Sequence, residues 1–389
     1  MKMRSVFQGN LQLHWQGRET MAGFRVAVIG ASGRGNYGHG LDAVWGKRSD
    51  CELVGLADAD PAGRAAAAKR LQVSRTFSDY RRMLEEIRPD IVAVCPRWAD
   101  QHHAMMMACA ESGCHMYVEK PFCRTPAEAD EIIRACEMRH LKVAVAHISR
   151  WSPQLRMAAR LIRQGEIGEL VEMRARGKED ARGGGEDLWV LGTHVLDLMR
   201  MAGGEPRQCV GSMFQNGHAV TGADIVEGNE GLGPLAGDRV DASYVFDGGV
   251  MGYFSSRRLA GGAASRFGLR VFGTKGVIHM GSGYGNPAWL LSDPTWGSAA
   301  SSTRWLPISS RGIDMEETDP GRGYDGGNAA AAEDLIQCIR TDRQPICSMY
   351  EAAAAVEMVN AVFASHCAGG DRVSLPLQQR GNALAGLAR

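Results

Sequence analysis

What the sequence lacks narrows the reading first. Its 389 residues include ten cysteines but no Cys-x-x-Cys pair, so the short thiolate spacing that opens a zinc or redox motif is missing. The nearest two, Cys109 and Cys114, fall in an Ala- and Met-rich stretch. Small buried apolar side chains in a reducing compartment account for them better than a disulfide framework. His102 and His103 are adjacent, a spacing that rarely aims both rings at one metal, and no metal is expected. There is no run of about eighteen apolar residues, hence no expected membrane span. Met1 to Thr20 lacks the apolar core of a secretory signal. Residues 1–22 read as an N-terminal extension, and a cytoplasmic location follows as the expectation. Neither charge sign is in excess, with Lys plus Arg and Asp plus Glu at 44 each. The chain's overall charge therefore gives no reason to expect nucleic acid or an anionic membrane as partner.

What is present suits a globular protein of two domains, 44% hydrophobic and 23% charged,. Short apolar runs predict strands at Phe24–Ile29, Glu52–Ala57, Asp90–Cys95, His115–Val118 and Lys142–Ala146. Helices are predicted from Pro61 to about Leu71, Arg81 to Ile87, His102 to Ser112 and Pro126 to about His140. This alternation predicts an α/β Rossmann domain with a parallel sheet and right-handed crossovers over residues 23–147. Beyond His147 the pattern changes. A helix over Pro153–Gln164 is followed by strands at 171–176, 242–246, 250–254, 267–272 and 276–279, with Asp247-Gly248-Gly249 as a hairpin turn,. Helices at 328–340 and 349–365 and a last strand at 372–375 complete residues 148–389. They predict an α+β domain on an open, mainly antiparallel sheet for substrate binding and oligomerisation. Residues 281–323, rich in Gly, Ser, Pro and Trp, read as a long surface loop.

Gly30-Ala31-Ser32-Gly33-Arg34-Gly35 directly follows the first strand, ahead of a predicted helix. A dinucleotide fingerprint needs a glycine for the tight turn, a small residue where backbone meets pyrophosphate, and a glycine for helix packing. Gly30 and Gly35 fill the outer places, and Ser32 beside Gly33 fills the middle. Asp58, at the end of the second strand, lies 23 residues beyond Gly35, near the spacing expected of a ribose-binding carboxylate. A carboxylate there repels a 2′-phosphate, so NAD is favoured and NADP less so, although Arg64 is nearby.

Glu119-Lys120-Pro121 closes the fourth predicted strand, on the carboxyl edge where open α/β sheets bind ligands. The wider pattern Gly113-x-His115-x-x-Val118-Glu119-Lys120-Pro121, with His102 upstream, resembles the glucose-fructose oxidoreductase / inositol dehydrogenase / MocA (Gfo/Idh/MocA) family of NAD(P)-dependent oxidoreductases. The resemblance runs from about Phe24 to Leu377. It includes Arg150 and Pro153, Gly165-x-Ile167-Gly168, Gly192-x-His194-x-x-Asp197 and Gly370-x-Arg372-Val373-x-Leu375-Pro376. It implies that Lys120 and His194 form the catalytic pair and that Lys120–Pro121 is cis. It implies hydride transfer to or from a ring hydroxyl of a sugar, inositol or related polyol, by a homodimer or homotetramer. Expected cofactor contacts are Gly30, Ser32, Gly33, Arg34, Gly35, Asp58, Pro96, Arg97, His102, Glu119 and Lys120. His194 lies in an apolar helical stretch, Leu188 to Met201, and read alone it is more often a core histidine than a base.

Two departures stand out. The family usually has an aspartate four residues before the histidine, where this chain has Val190. The loop from Cys95 to His102 is two residues longer than the common form, so Arg97 or Trp98 is expected to reshape the nicotinamide pocket. The missing aspartate keeps an alternative open, a redox-neutral NAD-dependent glycosidase or lyase acting through a transient keto-sugar. A non-catalytic dinucleotide sensor is the third reading. For the substrate, the charged, glycine-rich loop 174–187 offers Lys178, Glu179, Asp180 and Arg182, with Arg150 nearby. Trp151, Trp189 and Tyr324 are candidate faces for a sugar ring, and Lys120 and His194 complete the substrate set.

Overall fold

The computed structural model describes residues 23–260, 266–283, 285–297, 304–318 and 323–387. The extension 1–22 and the side chain of Tyr324 lie outside the described residues.

The first six strands are β1 (Phe24–Ile29), β2 (Cys51–Ala57), β3 (Thr76–Phe77), β4 (Ile91–Val94), β5 (His115–Val118) and β6 (Val143–Val145). They pair in parallel in the order β3-β2-β1-β4-β5-β6, the doubly wound order of a dinucleotide-binding sheet. β4, β5 and β6 are buried along their whole length, as strands covered on both faces must be. Helix starts follow local chemistry. Asp60, Thr125 and Ser152 cap the helices Pro61–Leu71, Pro126–Glu137 and Pro153–Arg163, each with proline in the first turn. The cap oxygens accept orphan N–H groups, and proline has none to lose.

The second sheet runs, in order, Gly312–Ile313, Leu306–Ser309, Ala288–Leu291, Val277–Gly281, Gly268–Gly273, Leu170–Arg176, Met251–Arg257, Arg239–Phe246, Pro206–Gln215 and Val373–Ser374. Among the described residues only the central pair Leu170–Arg176 and Met251–Arg257 is parallel in this sheet. Helices Pro153–Arg163, Thr193–Gly203 and Met349–Cys367 pack on one face. Arg174, Tyr253, Arg270 and His279 share the other. The chain then returns to the first domain. Val145 N–H donates to Cys347 O at 2.9 Å, and Tyr117 Oη donates to Asn328 Oδ1 at 2.7 Å.

Three expectations are corrected. The stretch after β1 is a succession of turns with one short 3-10 helix, Trp45–Lys47, instead of a helix. Left-handed Gly33, Gly35, Asn36, Gly38 and Gly40 keep resetting the backbone. Residues 281–323 are more than a loop, because Ala288–Leu291, Leu306–Ser309 and Gly312–Ile313 extend the sheet from within them. The strand Pro206–Gln215 was not expected. Its centre is Gly211, where a Cβ would lie 2.8 Å from Val362. The glycine that weakens the strand signal is what lets the helix Met349–Cys367 pack closely.

Candidate active site

The carboxyl ends of β1, β2, β4 and β5 converge. Gly33, at φ 80°, has open space where a Cβ would point, so a ligand can approach its backbone closely. A Cβ on Gly35 would lie 2.4 Å from Arg97 N. The third glycine therefore admits the loop after β4, in place of the helix packing expected of it. Asp58 is 2% exposed and organises this turn. It accepts Ser32 N–H at 3.1 Å, Ser32 Oγ at 2.8 Å and Tyr37 Oη at 3.0 Å. Arg64 Nη1 donates to Asp58 O at 2.6 Å, which keeps the guanidinium on the backbone. These residues fit a dinucleotide, with an open glycine turn for the pyrophosphate and a carboxylate at the end of β2 for the ribose. Arg34 pairs with Asp100 and lies 4.5 Å over the Trp98 ring. His102 does not reach the open site. It is fully buried, each ring nitrogen 2.7 Å from a carbonyl, Pro121 O and Pro96 O. It ties together the loops that leave β4 and β5.

Glu119 and Lys120 follow β5, and the Lys120–Pro121 bond is cis. Glu119 is 1% exposed. It accepts His39 N–H at 3.1 Å and Lys120 N–H at 2.9 Å, and its Oε2 is 2.9 Å from His39 Nδ1. Burial pushes its carboxyl up, but the His39 hydrogen bonds and Lys120 outweigh this and hold it below the usual range,. Lys120 is 5% exposed, and its Nζ donates to Val190 O at 3.0 Å. Burial lowers its pKa; Glu119 and Glu230 resist, while Arg182 and Arg97 add to the lowering. Val190 belongs to a π-helical segment, Leu188–Gly192, a wide turn often found at functional sites. The expected aspartate is missing, and the backbone carbonyl at that position holds the lysine.

The His194 ring meets His147 edge-to-face, centroids 5.4 Å apart. Among the described residues its Nδ1 has no hydrogen-bond partner. Burial first, then Lys120 and His147, pushes its pKa well down, which favours the neutral ring. His147 was missed as a site residue, since a histidine ending an apolar strand carries no local signal. Asp197, fully buried, receives Arg150 Nε on both oxygens at 2.9 and 2.8 Å. His147, Asp197 and Cys347 bring one ligand atom each within 4.8 Å of one another. Arg150 already supplies the cation there.

The proposed substrate loop is largely self-paired. Arg182 Nη2 lies 2.7 Å and Lys178 Nζ 3.5 Å from Asp180 Oδ2. The Glu179 side chain is buried beneath Arg176 and accepts Arg257 N–H at 3.1 Å. Three expectations fail on packing. Trp151 is buried with its indole N–H on Asp334 at 3.3 Å. Trp189 is buried against Phe363. Arg150 is committed to Asp197. Glu230, unexpected from the sequence, lies 3.7 Å from Arg97.

His115 and His147 are buried, at 5% and 1% exposure, and burial brings each down to about 4. Unfolded, both regain ordinary values near 6.5. Between these values the unfolded chain binds the extra protons, so stability is full above pH 6.5 and falls toward pH 4. These two sites contribute at most about 2.7 kcal/mol per pH unit to the slope, and His194 and His279, also lowered by burial, add to it. Urea midpoints at pH 7, 6, 5 and 4.5 check it. His115→Gln should flatten the profile, and an unchanged slope would count against this assignment.

Residues 24–147 match the model of an oxidoreductase family described as an NAD-binding Rossmann fold, and residues 155–279 match the GFO/IDH/MocA C-terminal domain. The chain is 27% identical over 216 residues to D-apiose dehydrogenase of Paraburkholderia graminis, covering 53% of this chain and 56% of that protein. It is 28% identical over 253 residues to levoglucosan dehydrogenase of Pseudarthrobacter phenanthrenivorans, covering 57% and 63%. The matched region thus spans about three-fifths of those relatives. In fold, the chain is similar to levoglucosan dehydrogenase in complex with NADH and levoglucosan, at TM-score 0.73 and 20% identity, covering 91% of this chain and all of that one. An NAD-binding oxidoreductase from Klebsiella pneumoniae gives TM-score 0.73 at 21% identity, covering 91% and 99%.

Proposed function

The chain belongs to the Gfo/Idh/MocA family of oxidoreductases, and from that premise we propose that it oxidises a ring hydroxyl of a sugar, inositol or related polyol, with NAD as the hydride acceptor. The observation that carries the reading is the buried Lys120 on the carboxyl edge of the sheet, whose charge acts on His194, a ring with no hydrogen-bond partner at Nδ1 among the described residues. Residues 23–147 hold the cofactor through the Gly33 turn, Asp58 and the Arg97 loop, and residues 148–389 hold the substrate. Bound NAD supplies a carbon that accepts hydride. The chain's own residues handle the proton. Lys120 Nζ, released from Val190 O, hydrogen-bonds the reacting hydroxyl oxygen. The His194 ring takes the hydroxyl proton as the C–H bond yields its electron pair, leaving a ketone. Asp197 lies behind His147, and its negative charge acts on that ring against the effect of burial.

The test is direct. Purified protein with NAD and a panel of polyols should generate NADH and ketone in equal amounts. Cleavage of a glycoside with no net NADH would mark the redox-neutral alternative, which the dehydrogenase relatives do not favour. Asp58→Asn should weaken NAD binding by about 10- to 100-fold, the worth of a charge-assisted hydrogen bond, and narrow the preference over NADP. Equal NAD affinity in the variant would remove Asp58 from the ribose site. No helix among the described residues is long and apolar enough to cross a membrane. The outward sheet face, with arginines beside Tyr253 and a stacked His279–Trp289 pair, has the composition of an interface core. It supports a homodimer or homotetramer, readable by light scattering.

A further inference from the structure

Between Pro206–Gln215 and Arg239–Phe246 the chain leaves the sheet for a two-stranded antiparallel hairpin, Val226–Gly228 with Gly233–Leu235. Its tip, Asn229–Gly231, packs against the 3-10 turn Ala99–Gln101 of the Rossmann domain. The approach is close, since a Cβ on Gly231 would lie 2.6 Å from Asp100 Oδ1. On its other flank Asn229 Nδ2 donates to Glu186 Oε2 at 3.0 Å, in the turn that leads to the His194 helix. The tip therefore links the loop after β4 to the turn ahead of the His194 helix.

Glu230 stands at the apex with φ 55°, a left-handed conformation that is costly for a residue with a Cβ and is held there by its surroundings. Its side chain is only 17% exposed. Among the described residues its carboxylate accepts no hydrogen bond, and its one ion pair is the long 3.7 Å approach to Arg97 Nη2. Its charge acts on Lys120 and on Arg182. A largely buried carboxylate with open acceptor sites, 3.7 Å from Arg97 and with its charge felt by Lys120 and Arg182, calls for donors from a ligand,.

We propose that Glu230 is a specificity-determining residue, whose two carboxylate oxygens accept hydrogen bonds from a pair of vicinal hydroxyls next to the carbon that Lys120 and His194 act on. The class selected is a neutral cyclic vicinal diol. Carboxylate-bearing sugars are disfavoured, because a second carboxylate would have to sit against Glu230. A carboxylate suits this role because its oxygens accept two donors side by side, and charge-assisted hydrogen bonds are the strong ones. Arg97 balances the charge and fixes the carboxylate's position. This rests on the polyol reading above.

Glu230→Gln preserves shape and removes the charge. The test titrates myo-inositol, methyl α-D-glucopyranoside and D-glucuronate into the NADH-loaded protein by calorimetry, and measures turnover with NAD in parallel. For the neutral polyols bound by the wild type, Glu230→Gln should weaken binding and raise KM by about 10- to 100-fold. The change should fall on KM more than on kcat, with NADH affinity and thermal midpoint unchanged. Discrimination against D-glucuronate should narrow. Equal polyol affinity in the two proteins overturns the proposal and leaves the oxidoreductase reading intact. A loss of NADH affinity or of melting temperature in step with polyol binding also overturns it, because the tip would then be only a strap between domains. Polyol binding without any NADH formation sinks the oxidoreductase reading alone, and a wild type that binds none of the three overturns both.

Discussion

Lys120→Met is expected to lower kcat by about 10²- to 10⁴-fold, the usual worth of a positioned proton-handling group, while NADH binds with near wild-type affinity. Methionine keeps most of the volume of a side chain that is only 5% exposed, so the fold should survive. What disappears is the ammonium donor that Val190 O receives. The hydroxyl oxygen then has no partner for the charge that builds on it as hydride departs. Arginine should not rescue. Its planar fork needs more room than the buried lysine leaves, and its guanidinium does not give up its proton. Burial lowers the lysine's pKa, with Arg182 and Arg97 adding to the effect. The pH–rate profile should therefore show a limb below the ordinary lysine range that vanishes in the variant. Single-turnover rates and NADH fluorescence separate the outcomes. A variant with wild-type kcat would remove Lys120 from the chemistry, and one that no longer binds NADH would make it a cofactor residue.

Arg150→Met is expected to cost about 3–5 kcal/mol of stability, the penalty for stranding one member of a buried ion pair. Asp197 is fully buried and both its oxygens face Arg150 Nε. Remove the guanidinium, and a carboxylate is left charged in the core beside His147 and Cys347. Adding Asp197→Asn should recover much of the loss, because a neutral amide is far cheaper to bury than an unpaired charge. The strong non-additivity of the pair, read from urea unfolding of the two single variants and the double, is the signature. Additive losses would show that the pair is not coupled. His194 sits on the other side of His147, so the single variants should also lower kcat, and the double should restore stability more fully than activity.

Several features were legible locally. The alternation of strands with proline-started, capped helices outlines a parallel sheet because backbone hydrogen bonding and side-chain period are short-range properties. Lys120 could be placed at a strand end for the same reason, as could Asp58. Gly35 was recognisable as a residue that must lack a Cβ, yet only the fold shows that it admits Arg97, since a close approach names no partner in the sequence. Trp151 and Trp189 show the converse. An aromatic in a polar neighbourhood reads equally as a sugar platform or as core, and packing against Asp334 and Phe363 made them core. Arg150 and Asp197 are 47 positions apart, and nothing in their own neighbourhoods says that they neutralise each other. His147 and Glu230 carry no periodic signal at all. By itself the sequence determined the dinucleotide-binding half, the lysine at its edge and the family. The tertiary structure decided that a Val190 carbonyl takes up the lysine, that His147 backs His194, and that a hairpin tip carries Glu230 to Arg97. These are long-range contacts, and a chain encodes them only through the complete set of packing constraints that brings distant segments together.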